Sequence, residues 1–213
     1  MNAFPVILSA PSGGGKTTIA KTLLARRSDI GYSVSCTTRP PREGEVEGRD
    51  YYFMTRPAFI AQRERGAFAE SAMVHGNLYG TLRSEVERVL ASGRHVVMDI
   101  DVQGASQFMR AFPESVTIFI LPPSADVLLE RLRSRKTETP SQLAARLQSA
   151  LQELQQVGEY EYVVVNDDLE RAVASVNAII DAEIVSRERV KNLRQQVAEL
   201  IAQLEREIEN HTP

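Results

Sequence analysis

The residues best suited to chemistry lie near the start of the chain. Ala10-Pro11-Ser12-Gly13-Gly14-Gly15-Lys16-Thr17 follows the phosphate-binding pattern Gly-x-x-x-x-Gly-Lys-Ser/Thr at every defining position except the first, where alanine replaces glycine. That position closes the preceding strand and need only let the turn begin, while the glycine run lets the backbone approach an anion closely. Successive N–H groups converge on phosphate oxygens, and the helix that follows adds the positive end of its dipole. Lys16 then reaches the β- and γ-phosphates and the Thr17 hydroxyl ligates Mg²⁺, with Thr18 completing the candidate triphosphate site. ATPases, GTPases and small-molecule kinases share this turn, so by itself it specifies nucleoside triphosphate binding.

A second candidate anion site follows. In Ser35-Cys36-Thr37-Thr38-Arg39-Pro40-Pro41-Arg42-Glu43-Gly44-Glu45, two arginines stand three apart beside prolines that stiffen the backbone. Rigid guanidinium forks suit a phosphate. An isolated Arg-Pro-Pro-Arg stretch is usually a solvated basic turn, but a neighbouring triphosphate site calls for a phosphorylated partner and favours the anion reading.

The elements that must position these residues can be read from periodicity. Phe4–Ala10 is an apolar run leading into the glycines, and similar buried-strand runs recur at His95–Ile100, Ser115–Leu121 and Tyr162–Val165, separated by helical patterns long enough to cross over. Alternating strand and helix implies an α/β fold, a parallel sheet of the P-loop type with helices on both faces. Residues 35–81, rich in glycine, arginine and aromatics, break the rhythm and read as a small α+β insertion, a candidate second lobe. The core then comprises 1–34 and 82–184. A cationic stretch from Arg131 to Pro140 suits an exposed lid, taken as about 131–146. From Leu169 to about Glu209 the chain reads as almost uninterrupted helix. In the C-terminal extension, 185–213, Leu193, Val197, Leu200 and Leu204 form a short heptad seam. That seam suits a homo-oligomer, and equally a terminal helix packed on its own domain.

Composition narrows the classes further. The chain has 213 residues, with 25 basic and 28 acidic residues giving a net charge of −3, so no global field draws it to nucleic acid or an anionic membrane. The lone Cys36 excludes an internal disulfide, and His75, His95 and His211 are too scattered to form a metal-ligand set. No signal peptide or membrane span is read, so a cytoplasmic location is expected.

Beyond the phosphate turn, the chain closely resembles the guanylate kinase family. The resemblance is carried by Val34-Ser35-Cys36-Thr37-Thr38-Arg39, Pro41-Arg42, Gly44-Glu45, Gly76-Asn77-Leu78-Tyr79-Gly80-Thr81, Asp99-Ile100-Asp101 with Gln103-Gly104, Leu121-Pro122-Pro123-Ser124 and Val165-Asn166-Asp167-Asp168, in order from about Phe4 to Ile184. It implies transfer of the γ-phosphoryl of ATP to GMP with Mg²⁺. By motif position, Ala10 to Thr18 would hold ATP, and Arg39, Arg42, Tyr51 and Tyr79 the GMP phosphate, with Glu45 supporting the arginines. Ser35, Glu70, Thr81 and Asp101 would face or order the guanine, and Asp99 would sit near metal and phosphates. Lys16, Arg42, Arg135 and Arg146 would supply charge to the transferred group. Lys136 stands where the family typically has glycine, a departure that bears on closure of the lid.

Elementary chemistry agrees with these assignments. Guanine presents two donors, N1–H and the exocyclic amine, to a carboxylate such as Glu70, whereas adenine presents a lone pair at N1. An unpaired buried polar group costs about 1–3 kcal/mol, enough to discriminate. Two other readings share part of the pattern. Non-catalytic guanylate-kinase-like modules bind phosphorylated proteins but typically have a damaged P-loop, and kinases of other phosphorylated acceptors would not be expected to retain the 35–53 and 76–81 segments together.

Overall fold

The structure, a computed structural model, describes residues 3–74, 76–133 and 140–211. Arg135, Lys136 and His75 lie outside the described residues.

An apolar strand between crossover helices must bury both faces, and β1 (Pro5–Ser9) buries all five of its residues. Their sides alternate. Val6 and Leu8 share one core with Ile19 and Leu23 of α1 (Lys16–Arg26) and with Val173, Val176 and Ile180 of α7 (Leu169–Ile184). Ile7 joins a second core with Val86 and Val89 of α3 (Arg83–Ala91) and Ala105 and Phe108 of α4 (Val102–Ala111). Each such fully buried aliphatic contributes about 1.5–3 kcal/mol. The expected parallel sheet has five strands in the order β2 (Ile30–Tyr32), β7 (His95–Asp99), β1, β8 (Val116–Leu121), β9 (Tyr162–Val165). Ligands bind beyond the C-terminal ends of such strands, and there β1 and β7 finish side by side, with Leu8 paired to Asp99.

The irregular segment forms a separate four-stranded mixed sheet, ordered β4 (Tyr52–Phe53), β3 (Cys36–Thr37), β6 (Asn77–Leu82), β5 (Phe68–Val74), in which β3 and β4 run parallel and the other pairs antiparallel. It has its own core. Phe59 of α2 (Arg56–Glu64) stacks on Phe68 with ring centroids 4.3 Å apart, over Cys36 and Leu78. The free edge of β5 is covered by an amide: Gln107 of α4 accepts the Ser71 N–H at 3.1 Å and donates to the Ser71 carbonyl at 3.2 Å. One side chain thus fastens the small sheet to the main one. On the other flank of the main sheet, α5 (Ala125–Arg133) and α6 (Pro140–Gln155) pack through Leu128, Leu132 and Ala150.

The near-continuous terminal helix expected from Leu169 is broken. After α7 a single turn of 3-10 helix (Arg187–Arg189) intervenes, and α8 (Leu193–His211) begins beyond Asn192, whose φ is 56°. The cause is tertiary. Arg189 is drawn back onto the body, its guanidinium 4.1 Å above the Phe4 ring and 2.9 Å from Glu183. No residue of α8 is buried, and Leu200, Leu204 and Ile208 are 59%, 64% and 65% exposed, so this helix does not pack on its own domain.

Candidate active site

The phosphate turn joins β1 to α1. Gly14 N–H donates to the Pro11 carbonyl at 2.7 Å, and Gly13 takes φ +84°, the positive value that the third residue of a type II turn requires. Gly15, the N-cap of α1, has φ +92°, and a Cβ there would stand 2.4 Å from Asn166 Nδ2. Asn166 itself donates to the Gly14 carbonyl at 2.9 Å and clamps the turn from the end of β9. No side chain caps α1, and its first turn carries no acid, so no side chain competes with an incoming anion for its N–H groups. Ala10, in place of the expected glycine, is buried in the main core. Its methyl fills space rather than obstructing the turn.

Lys16 Nζ lies 3.5 Å from Asp99 Oδ1, at the adjacent strand end. On the outer side of the turn, Glu153 of α6 accepts the Ser12 N–H at 2.8 Å and Arg146 reaches Ser12 Oγ at 3.4 Å. Burial pushes the Glu153 carboxyl above its ordinary value, against the opposing pull of the Ser12 N–H and the Lys16 charge.

Across the cleft, Arg39 donates through Nη2 to both oxygens of Glu45, at 2.7 and 3.0 Å, and lies 5.4 Å over the Tyr51 ring. Glu45 also accepts the Arg42 N–H at 2.8 Å. The Arg39 guanidinium, with that N–H, holds the Glu45 carboxyl below the usual range. Tyr51 and Tyr79 meet edge to face, 6.0 Å between centroids.

Deeper in, a β-bulge between Phe68 and Glu70 sets Glu70 opposite Thr81, whose hydroxyl donates to Glu70 Oε1 at 2.7 Å. Burial pushes the Glu70 carboxyl up to about 7, the nearby Asp101 charge adding to the effect and Thr81 opposing it. Asp101 caps α4 by accepting the Gly104 N–H at 2.8 Å.

One cleft of about 740 Å³ brings together Lys16, Thr17, Ser35, Glu45, Tyr51, Glu70, Tyr79, Asp99 and Asp101 of the expected residues. Others stand behind or beside it. Arg39 lies against Glu45 and Tyr51, Thr81 is buried behind Glu70, the Arg42 side chain is exposed outside the lining, and Arg146 contacts the turn at Ser12 without lining the cleft. Lys21, Tyr32, Arg49 and Asp50, to which the sequence assigns no role, also line the cleft. Glu153 has no signal in the sequence, its partner being 141 residues away, and Asn166 belongs to the Val165–Asp168 motif, which by itself gives it no role.

Among the described residues no group of three or more His, Cys, Asp or Glu could hold a metal unaided. The hard oxygen donors Thr17 and Asp99 on the cleft wall nevertheless suit an ion such as Mg²⁺, which typically takes one or two protein oxygens and completes its shell with phosphates and water. No described helix is long and apolar enough to cross a membrane.

Comparison with known proteins bears directly on this cleft. A family model described as guanylate kinase matches residues 2–183. The chain is 48% identical over 199 residues to a guanylate kinase of Chelativorans sp. (strain BNC1), covering 93% of this chain and 91% of that protein. It is 44% identical over 202 residues to one of Nitrosospira multiformis, covering 94% of each. The crystal structure of guanylate kinase from Anaplasma phagocytophilum superimposes with a TM-score of 0.72 at 37% identity, covering 91% of this chain and 92% of that one.

Proposed function

The chain belongs to the guanylate kinase family and is an enzyme of that kind, and we propose how its residues divide the work of moving the γ-phosphoryl of ATP to GMP to give ADP and GDP. The observation that carries this reading is the shared cleft, lined by Lys16 and Thr17 of the phosphate turn together with Glu45 of the arginine loop and Tyr79 and Glu70 of the second sheet. Its volume suits nucleotide-sized ligands.

The triphosphate rests on the turn Ala10–Thr18, with Lys16 on the β- and γ-phosphates. Mg²⁺ is held by Thr17 together with the phosphates, Asp99 nearby, and when bound it neutralises charge on the transferring group. The GMP phosphate takes Arg39, Arg42, Tyr51 and Tyr79. Glu45 orients both arginines, one through its side chain and the other through its backbone. Guanine lies against Glu70, with Thr81 fixing that carboxylate and Ser35 and Asp101 completing the rim. Glu70 accepts from N1–H and the exocyclic amine together, whereas adenine would leave a buried acceptor unpaired. Phosphoryl transfer asks mainly for alignment and positive charge, which Lys16, Arg42, Arg135 and Arg146 supply. The core, 1–34 and 82–184, and the lobe, 35–81, close on the two nucleotides and exclude water. The setting is the cytoplasm, where ATP is available and Cys36 stays reduced.

The test is a coupled ADP-release assay with Mg·ATP that offers GMP, AMP, CMP and UMP in parallel. Turnover with GMP alone is expected. Equal turnover with AMP would overturn the guanine assignment, and none with any acceptor would favour a binding module.

A second copy of the chain is the partner that α8 fits. Lys191 just ahead of this helix and Arg194 in its first turn are basic, whereas Glu205, Glu207 and Glu209 outnumber Arg206 near its end, so an antiparallel pair sets opposite net charges together while covering Val197, Leu200 and Leu204. Light scattering of the full chain and of its Leu200→Glu/Leu204→Glu form should show the dimer lost, and an unchanged mass would dispose of this interface.

A further inference from the structure

We propose that Glu153 is a positioning residue that locks the phosphate-binding turn to the helix carrying Arg146, and so sets the distance between the triphosphate cradle and that guanidinium. The inference rests on the reading above in one respect, that Arg146 acts on the transferred group.

In the Pro11–Gly14 turn the single internal hydrogen bond runs from Gly14 N–H to the Pro11 carbonyl. The N–H of the second residue, Ser12, has no place in that bond and must find an acceptor elsewhere. Glu153 Oε2 is that acceptor, at 2.8 Å. The other carboxylate oxygen, Oε1, accepts the Ser149 hydroxyl at 3.3 Å, so the side chain is held from two directions. Arg146, Ser149 and Glu153 stand at i, i+3 and i+7, one face of α6, and Arg146 grips the same turn residue through Ser12 Oγ while donating to the Leu132 carbonyl at 2.9 Å. A single turn residue is therefore tied to α6 at two points, two helical turns apart. Loss of the Glu153 tie removes the shorter of these two links between turn and helix and leaves the longer Arg146 contact.

The choice of a carboxylate is informative. A negative side chain beside a triphosphate site opposes ligand binding, and water could satisfy the Ser12 N–H at less electrostatic cost. What water cannot do is fix the turn against the helix. Misplacement of reacting groups by about 1 Å can cost about a hundredfold in rate, so a small loss of register is enough to be measured.

Glu153→Gln and Glu153→Ala both remove the charge, and only Gln keeps an acceptor for the Ser12 N–H. The ratio between the two variants therefore reads the side-chain tie, the Ser12 hydrogen bond with its Ser149 support, free of the charge effect. The expected result is kcat at least about tenfold higher in Gln than in Ala, with KM for GMP equal within about twofold. Mg·ATP measured by calorimetry should bind at least about threefold tighter to Gln than to Ala, and no more weakly to Gln than to the original protein once the repulsion is gone. Equal kcat and equal ATP affinity in the two variants, or equal losses that follow a fall in Tm, would overturn the proposal and leave Glu153 a stabilising residue only. Failure of the original protein to turn over GMP would instead count against the enzymatic reading, and the calorimetric ratio would still decide the role of Glu153.

Discussion

Replacing Glu70 with glutamine should flatten the dependence of GMP affinity on pH between about 6 and 8. Burial pushes the carboxyl up to about 7, helped by the charge of Asp101 and opposed by the Thr81 hydroxyl at 2.7 Å. Guanine offers two donors to it, so the ionised form binds and the protonated form, with one oxygen converted to a donor, does not. The ionised fraction rises from about one-tenth at pH 6 to about nine-tenths at pH 8, and GMP affinity through this contact should rise about tenfold with it. The phosphate of GMP also titrates near pH 6, and for that reason the slope of the Glu70→Gln form must be subtracted. Calorimetry in buffers of different ionisation enthalpy gives an independent reading: near pH 7 the original protein should release about half a proton more per GMP than the variant.

The same titration has a signature without nucleotide. A carboxyl raised from 4.5 to about 7 binds its proton more tightly in the folded than in the unfolded state. Its contribution to stability is therefore present in full below the unfolded value and is lost as pH rises through about 7, to a ceiling of about 3 kcal/mol. Denaturation of the nucleotide-free protein should show this loss, and Glu70→Gln should not. Identical pH slopes, proton release and stability profiles in the two proteins would refute the assignment of Glu70 to the purine.

Other perturbations act on single parts of the cleft. Glu45→Ala removes the acceptor for both Arg39 and the Arg42 backbone, and steady-state kinetics should show KM for GMP raised about tenfold with kcat changed less than threefold. Lys16→Ala should bring phosphoryl transfer below detection, a loss of about a thousandfold or more, while GMP still binds by calorimetry. Gly15→Ala forces a side chain to φ +92° and toward Asn166 Nδ2, and thermal denaturation should register a loss of about 1–2 kcal/mol or more together with lost ATP-analogue binding.

How much of this could be read beforehand depends on how far away each residue's partners lie. The phosphate turn is contiguous, and its strand, expected over Phe4–Ala10, is β1 at Pro5–Ser9. The arginine loop is nearly as local, since Glu45 stands six residues from Arg39 and three from Arg42. Glu70 was reached through the family resemblance, because its aim depends on a bulge that no periodicity marks and on Thr81 in the next strand. The long C-terminal helix is present, but its near-continuity with the helix from Leu169 fails for a related reason. Neither glycine nor proline interrupts 169–209, and the break comes from Arg189 folding back over Phe4, which is remote in sequence.

That difference in reach also separates the kinds of damage expected in the site. The positive φ at Gly15 belongs to the turn's own backbone, so the strain part of Gly15→Ala should persist whatever is changed elsewhere, and only its clash with Asn166 Nδ2 should yield to a substitution at Asn166. Glu70 and Glu153 take their roles from groups brought to them by other elements, Thr81 and Asp101 in one case and Ser12 in the other. For such residues the isosteric amide should keep the fold, removing the pH dependence that the Glu70 carboxyl imposes and preserving the affinity for Mg·ATP that depends on Glu153. The two carboxylates thus separate by what they face: Glu70, in the cleft wall, needs its charge to select the base, whereas Glu153, outside that lining, needs only an oxygen to hold the turn.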